Sequence, residues 1–114
     1  MDVEAPRGLL RFFDEAREMV RLYHEKFDGT GYPIGLAGER IPAGARIFAV
    51  AGVFDALTTV RPYHPPLPYR QAAERILAGC GTHFDPAVVD AFLAIPFSAW
   101  AEAARRNGVT LRET

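Results

Sequence analysis

The histidine at position 24 is the first residue whose type and setting could do chemistry. It precedes Glu25 and a glycine-rich stretch, and an imidazole beside an acid could bind a metal ion. Alternatively, the dipole favours an imidazole at a helix C-terminus, with Glu25 paired to Arg21. A stable metal site needs three or four ligands, and neither His64 nor His83 has a second ligand three or four residues away.

Asp55 is the single acidic residue between Gly44 and Val60, within a strongly apolar stretch. A buried carboxylate without a partner is costly, so such a residue needs a hydrogen bond, a cation or a catalytic role. It could act as a general base or as an orienting group. It could equally form an ion pair with Arg46 or Arg61.

The segment 28–38 contains four glycines and one proline in eleven residues. Its successive amides could form a nest that binds an anion, and Arg46 with Arg61 could clamp a phosphate. A purely structural turn is the alternative. Tyr32 and Tyr63 could stack on a base, although aromatic residues more often belong to a core or an interface.

A glycine at position 52 lies inside a predicted helix, where it costs about 1 kcal/mol relative to alanine. Close packing of another helix against this position would explain the glycine. The sharper alternative is that a larger, formerly functional side chain has been lost.

Helical spacing predicts the elements that position these residues. Apolar residues recur at steps of three and four from Leu9 to Phe27, which predicts the first helix. The second, from about Pro42 to Val60, is apolar on nearly every face and is therefore predicted to be central and buried.

Proline, glycine and capping residues delimit three further helices. They run from about Pro68 to Ala78, from an Asp85 N-cap and Pro86 to just before Pro96, and from a Ser98 cap through Ala99 to about Asn107. No strand pattern competes, so the sequence predicts an all-α fold.

Composition limits the classes of partner. The 114 residues allow one domain, and 13 Lys and Arg against 14 Asp and Glu give no bulk field for nucleic acid or anionic lipid. A single cysteine, Cys80, excludes an internal disulfide and a cysteine-based zinc site. The sequence contains neither a membrane-length apolar run nor a signal peptide. We therefore expect one cytoplasmic domain over residues 1–114, without nucleic-acid or membrane partners.

Residues 24–33 read His-Glu-Lys-Phe-Asp-Gly-Thr-Gly-Tyr-Pro and resemble the HHExxDGxGYP signature of the HD-GYP family. The resemblance continues through residues 41–63, and residues 81–86 are similar to the family's GxxFDP segment. It implies a compact bundle of about five helices, the C-terminal part of an HD-GYP domain. The signature loop would span residues 24–44, and a C-terminal tail would start at about residue 108.

The resemblance also implies an activity and its loss. Family members are phosphodiesterases that cleave cyclic di-GMP with two or three iron or manganese ions. The paired histidine ligands fall on Tyr23 and His24, and a ligand aspartate falls on Gly52. The name-giving His-Asp pair has no counterpart in this sequence. We therefore expect His24 to be a vestigial ligand, with no bound metal cofactor and no assignable catalytic residue.

The substrate and partner features are better retained. Arg61 matches the arginine that contacts substrate phosphate in the family, and the following basic position is His64. The loop associated with contacts to diguanylate-cyclase domains keeps five signature residues: Asp28, Gly29, Gly31, Tyr32 and Pro33. Asp55 is expected to be a structural acid.

The expected function is that of a catalytically inactive binding or regulatory module in cyclic di-GMP signalling, with cyclic di-GMP as a candidate ligand. The alternative is a phosphodiesterase whose metal-binding half comes from another segment or chain. Because the first helix carries an apolar stripe that needs a partner, we also predict a homodimer.

Overall fold

The fold is all-α, as predicted. The computed structural model describes residues 7–114, and it describes side chains at residue 14 and from residue 16 onward. The helices are α1 (Arg7–Leu22), α2 (Ala43–Thr58), α3 (Tyr69–Ala78), α4 (Pro86–Ala94) and α5 (Phe97–Arg106). Within this described range, β-type pairing is limited to three isolated bridges.

The end of α1 differs from the prediction. The sequence predicted a helix as far as Phe27, but α1 ends at Leu22. The amide of Glu25 donates to the Leu22 carbonyl, and the amide of Phe27 donates to the carbonyl of His83. The first bond closes a local turn, and the second is a tertiary contact that helical periodicity does not reveal.

Two N-cap predictions had opposite outcomes. Asp85 caps α4 as predicted, because its carboxylate accepts a hydrogen bond from the Ala87 amide at 2.8 Å. The prediction that Ser98 caps the last helix is wrong. Pro96 holds the N-cap position of α5, and its carbonyl accepts hydrogen bonds from the amides of Ala99 and Trp100.

The second helix is the centre of the core, with contacts to α1, α3 and α4. The main cluster of buried side chains is Ala49, Val50, Phe54, Ala72, Ile76, Phe84, Val89 and Phe92. A smaller cluster of Leu22, Ile41 and Ala45 joins α1 to α2. The prediction that α2 is buried on nearly every face is wrong, because Ile47 is 56% exposed and Phe48 is 38% exposed.

The C-terminal tail closes the start of α3. Pro68 is the N-cap of α3 and supplies no side-chain hydrogen bond. Instead, the Arg112 carbonyl accepts from the Tyr69 amide at 2.7 Å, and the Glu113 carbonyl accepts from the Arg70 amide at 3.0 Å. These bonds satisfy two amides that a helix start otherwise leaves without partners.

Helix length also bears on membrane insertion. No single helix in the described part of the chain is long and apolar enough to cross a bilayer. The pair α4 and α5 meets the length and composition only when taken together, and the two helices meet at a bend of 83°.

Candidate functional site

A cleft of about 370 Å³ lies beside α2, between the segment after α1 and the turn at residues 61–64. Ring-bearing side chains form much of its wall, and they are Tyr23, His24, Phe48, Tyr63 and His83. Gly52 and Arg61 also line it, and Arg61 is the one permanently charged residue of the lining. The structure thus brings together five residues that the sequence singled out: Tyr23, His24, Gly52, Arg61 and Tyr63.

The rings beside the signature loop form a continuous series. The centroid of the Tyr23 ring lies 3.9 Å from that of His24 and 5.2 Å from that of Phe48. On its other side, His24 stacks on Tyr32, with centroids 4.8 Å apart and planes 16° apart. The exposed tyrosine of the loop therefore touches a residue of the cleft wall.

Arg61 is tied to Asp55 but keeps an unsatisfied donor. Its Nη2 donates to Asp55 Oδ2 at 3.3 Å. Asp55 thus pairs with Arg61 and not with Arg46, and its side chain is 67% exposed instead of buried as the apolar stretch suggested. The Nε of Arg61 is buried and, among the described residues, has no hydrogen-bond partner. The side chain as a whole is 36% exposed, so the rest of the guanidinium is accessible to an acceptor in the cleft.

Gly52 faces open space. A Cβ atom built on this glycine has no heavy atom within 4 Å, other than its own helix backbone and chain neighbours. Close packing against another helix is therefore the wrong explanation for the glycine. The position can hold a larger side chain directed into the cleft.

His64 lies outside the cleft lining, although the resemblance placed it with Arg61. Its Nδ1 is 2.9 Å from the Pro65 carbonyl oxygen. Its ring meets the Tyr63 ring edge-on, with centroids 5.1 Å apart. In this structure, His64 contacts a cleft residue without entering the cleft.

The signature loop wraps around Glu25. This carboxylate is only 2% exposed and accepts hydrogen bonds of 2.7 to 3.1 Å from the amides of Ile34, Gly35 and Leu36. The loop amides of residues 34–36 already bind an anion of the chain itself, so the interpretation of these amides as a free anion nest is wrong. The suggested Glu25–Arg21 pair is also wrong, because Arg21 pairs with Glu18.

Other signature residues shape this loop. Asp28 accepts hydrogen bonds from the amide and hydroxyl of Thr30, which hold the pKa of the Asp28 carboxyl below its usual value. Gly29 has a φ of 85°, and a Cβ on Gly31 would lie 2.4 Å from the Lys26 nitrogen. Tyr32 and Pro33 are exposed on the outside of the loop.

His83 is a titratable cleft residue to which sequence reasoning assigned no role. It precedes Phe84 and stacks on it, with ring centroids 4.1 Å apart. Burial, reinforced by the charge of Lys26, lowers the pKa of the His83 imidazole, and Asp28 opposes this weakly. The sequence offered one usable signal, because His83 lies inside the segment 81–86 that carried part of the resemblance.

The family model described as "HD domain" matches residues 5–88. The chain belongs to the HD domain family. Its HD-GYP resemblance is confirmed by relatives such as a cyclic di-GMP phosphodiesterase of Vibrio cholerae, 49% identical over 88 residues. The cyclic di-GMP phosphodiesterase response regulator RpfG of Xanthomonas campestris is 47% identical over 83 residues.

These HD relatives are much longer than the chain. The aligned regions cover 77% and 73% of this chain but only 18% and 22% of the two relatives. A solved cyclic GMP-AMP specific phosphodiesterase of V. cholerae superposes with a TM-score of 0.56 at 29% identity, covering 77% of this chain and 23% of that one. The HD domain is therefore shared over part of each relative.

The described donors do not fit the iron or manganese centre that the HD-GYP resemblance implies. Among the side chains that the structure describes, no group of three or more His, Cys, Asp or Glu residues could hold a metal ion. In the cleft, His24 and His83 are the imidazoles, and its lining contains no carboxylate. Each ion of such a centre needs several donors, so these residues do not form it.

Proposed function

We propose that this HD domain binds a cyclic dinucleotide in the cleft and does not hydrolyse it, acting as a binding or regulatory module. Relatives are named as phosphodiesterases of cyclic di-GMP and of 3'3'-cGAMP. The observation that carries the proposal is Arg61, whose guanidinium side chain is 36% exposed and lines the cleft beside a wall of rings. Guanidinium groups bind phosphates through charge-assisted hydrogen bonds, and rings stack on bases.

Two residues of the same cleft are the reason to expect no hydrolysis. Two-metal phosphodiester hydrolysis needs ions that clamp both the attacking and the leaving oxygen. Tyr23 and Gly52 stand where the resemblance implies a histidine and an aspartate ligand. Because Gly52 has no side chain, no carboxylate reaches the cleft from this position.

Calorimetry on the whole chain tests the proposal, with cyclic di-GMP and 3'3'-cGAMP as titrants. We expect binding that Arg61→Ala weakens at least tenfold. The matched control is Arg105→Ala, since Arg105 is exposed and pairs with Glu102 on α5. Failure of both nucleotides to bind would contradict the binding function.

Metal content and turnover are measured on the same protein. We expect no stoichiometric iron or manganese, and no linear dinucleotide product by chromatography after addition of either ion. Turnover by the chain alone would contradict the proposed lack of hydrolysis. The variant Tyr23→His with Gly52→Asp supplies two further donors, and metal uptake by this variant would support the loss of ligands at these positions.

A second candidate function is a phosphodiesterase completed by another segment or chain. It is favoured because the chain aligns with only 18% and 22% of the two relatives described above. Adding the preceding HD segment of the Vibrio cholerae relative tests it. Turnover in this mixture, absent from either component, would support this function over the first.

We also propose that the signature loop docks a protein partner, with a diguanylate-cyclase domain as the candidate from the family resemblance. The loop presents two exposed apolar side chains, Tyr32 at 61% and Ile34 at 55%. The hydrogen bonds that Glu25 accepts hold the backbone at Ile34 and Gly35 in place. The variant Ile34→Ser should weaken pull-down of such a domain while leaving nucleotide binding intact, because Ile34 does not line the cleft.

Self-association is the remaining proposal. Val20 on α1 is 62% exposed, and Ile47 and Phe48 add apolar surface on α2. Apolar surface of this kind favours burial against a second copy. Light scattering should give the mass of a dimer, and Ile47→Asp should shift it toward the monomer. A native monomer at high concentration would overturn the proposal.

A further inference from the structure

The turn at residues 61–64 carries the Arg61 guanidinium and the Tyr63 ring two residues apart. Arg61 and His64 form an antiparallel backbone bridge, with Pro62 and Tyr63 between them. Arg61 and Tyr63 both line the cleft. Residues two apart in a chain lie within about 7 Å of each other, which is the scale that separates a phosphate from the base of the same nucleotide.

Tyr63 is the most exposed of the tyrosine and phenylalanine side chains that line the cleft. It is 77% exposed although it lines the cleft, and its recorded ring contact is the edge-on contact with His64. The other two tyrosines near the cleft are already engaged. Tyr23 lies between His24 and Phe48, and Tyr32 stacks on His24.

His64 limits the movement of the Tyr63 ring. Its Nδ1 lies 2.9 Å from the Pro65 carbonyl oxygen, and its ring plane is inclined by 69° to that of Tyr63. A perpendicular neighbour favours one orientation of a ring and covers at most one of its two faces, so a face remains available for stacking. A ring that is already oriented loses less entropy when a base stacks on it.

We infer that Tyr63 is the base-stacking residue of the cleft, and that His64 is a positioning residue that acts through Tyr63. The inference rests on the proposed function, since it assigns the base of the nucleotide to one side of the turn and the phosphate to Arg61. Stacking accepts any base face, so Tyr63 distinguishes nucleotides from free phosphates and does not select one base over another.

Calorimetry with two probes, cyclic di-GMP and the base-free ribose 5-phosphate, tests this assignment. Tyr63→Ala should weaken cyclic di-GMP binding by about 5- to 100-fold and leave ribose 5-phosphate binding unchanged. Tyr63→Phe keeps the ring and should bind like the native chain. His64→Ala should weaken cyclic di-GMP binding less than Tyr63→Ala, again without an effect on ribose 5-phosphate.

Arg61→Ala is the contrasting variant, because it should weaken the binding of both probes. Native-like cyclic di-GMP affinity in Tyr63→Ala would overturn the inference while the proposed function stands. An equal loss of affinity for both probes in Tyr63→Ala would also overturn the inference, since a damaged turn would produce that pattern. If the native chain binds no cyclic dinucleotide, the proposed function fails first and the inference fails with it.

Discussion

The guanidinium of Arg46 in α2 donates a hydrogen bond to the carboxylate of Asp85, the N-cap of α4. The same guanidinium donates from Nε to the Ile41 carbonyl at 2.8 Å. The two side chains are largely buried, with 19% of Arg46 and 8% of Asp85 exposed. One ion pair therefore links the starts of two core helices and pairs two charges that are largely shielded from water.

Removal of Asp85 should be strongly destabilising. Asp85→Ala removes the cap and leaves the Arg46 charge without its partner, and we expect a loss of about 3 to 5 kcal/mol in the free energy of unfolding. Asp85→Asn keeps an oxygen for the Ala87 amide and should lose less. Urea denaturation of both variants measures the difference, and equal losses would show that capping is irrelevant here.

The carboxylate of Glu25 should be the main anchor of the signature loop. Glu25→Ala leaves three loop amides without their acceptor, and we expect a loss of roughly 3 kcal/mol because bonds to charged groups contribute most. Glu25→Gln should be less stable than the native chain but more stable than Glu25→Ala, because its side-chain oxygen can still accept a hydrogen bond and its amide nitrogen cannot. The control is Glu18→Gln on the exposed surface, where we expect a change below about 0.5 kcal/mol in the same urea experiment.

Gly52→Ala should stabilise the chain. The position is mid-helix and open, so alanine gains about 0.5 to 1 kcal/mol from propensity and meets no atom. The matched control is Gly31→Ala, whose Cβ would lie 2.4 Å from a backbone nitrogen and must displace the loop. Thermal unfolding should therefore move in opposite directions for the two variants. A lower melting temperature for Gly52→Ala would contradict the open space found around this position.

Titration of His83 should make stability fall in mild acid. Its folded pKa is lowered from the usual 6.5, so the unfolded chain binds the proton more readily. The stability that the neutral His83 imidazole contributes is fully present above pH 6.5, and it is lost as the pH falls through the folded pKa. His83→Gln should flatten the slope of unfolding free energy against pH below 6.5. An unchanged slope would assign that dependence to other groups.

Helix starts could be predicted where the sequence contains a strong local signal. The Asp85-Pro86 pair predicted the start of α4 because capping and proline geometry act within one turn. The end of α1 could not be predicted in this way. Glu25 and Phe27 are held by partners nine or more residues away, and those bonds outweigh the helical spacing of residues 23–27.

The candidate site shows the same limit. The resemblance selected Tyr23, His24, Gly52 and Arg61, which the structure places on one cleft. It gave no role to His83, because only the folded chain brings the turn before α4 to this cleft. Asp55 was expected to be buried because its neighbours are apolar, but a helix turns by about 100° per residue, and Asp55 faces outward.

The carbonyls of Arg112 and Glu113 at the start of α3 couple two distant stretches of chain into one cooperative unit. The amides of Tyr69 and Arg70 are protected from hydrogen exchange only while the tail is docked. Their exchange rates therefore report the opening equilibrium of the C-terminal segment. Any partner or fusion that pulls the tail away would be seen first as fraying of a helix more than forty residues earlier in the sequence.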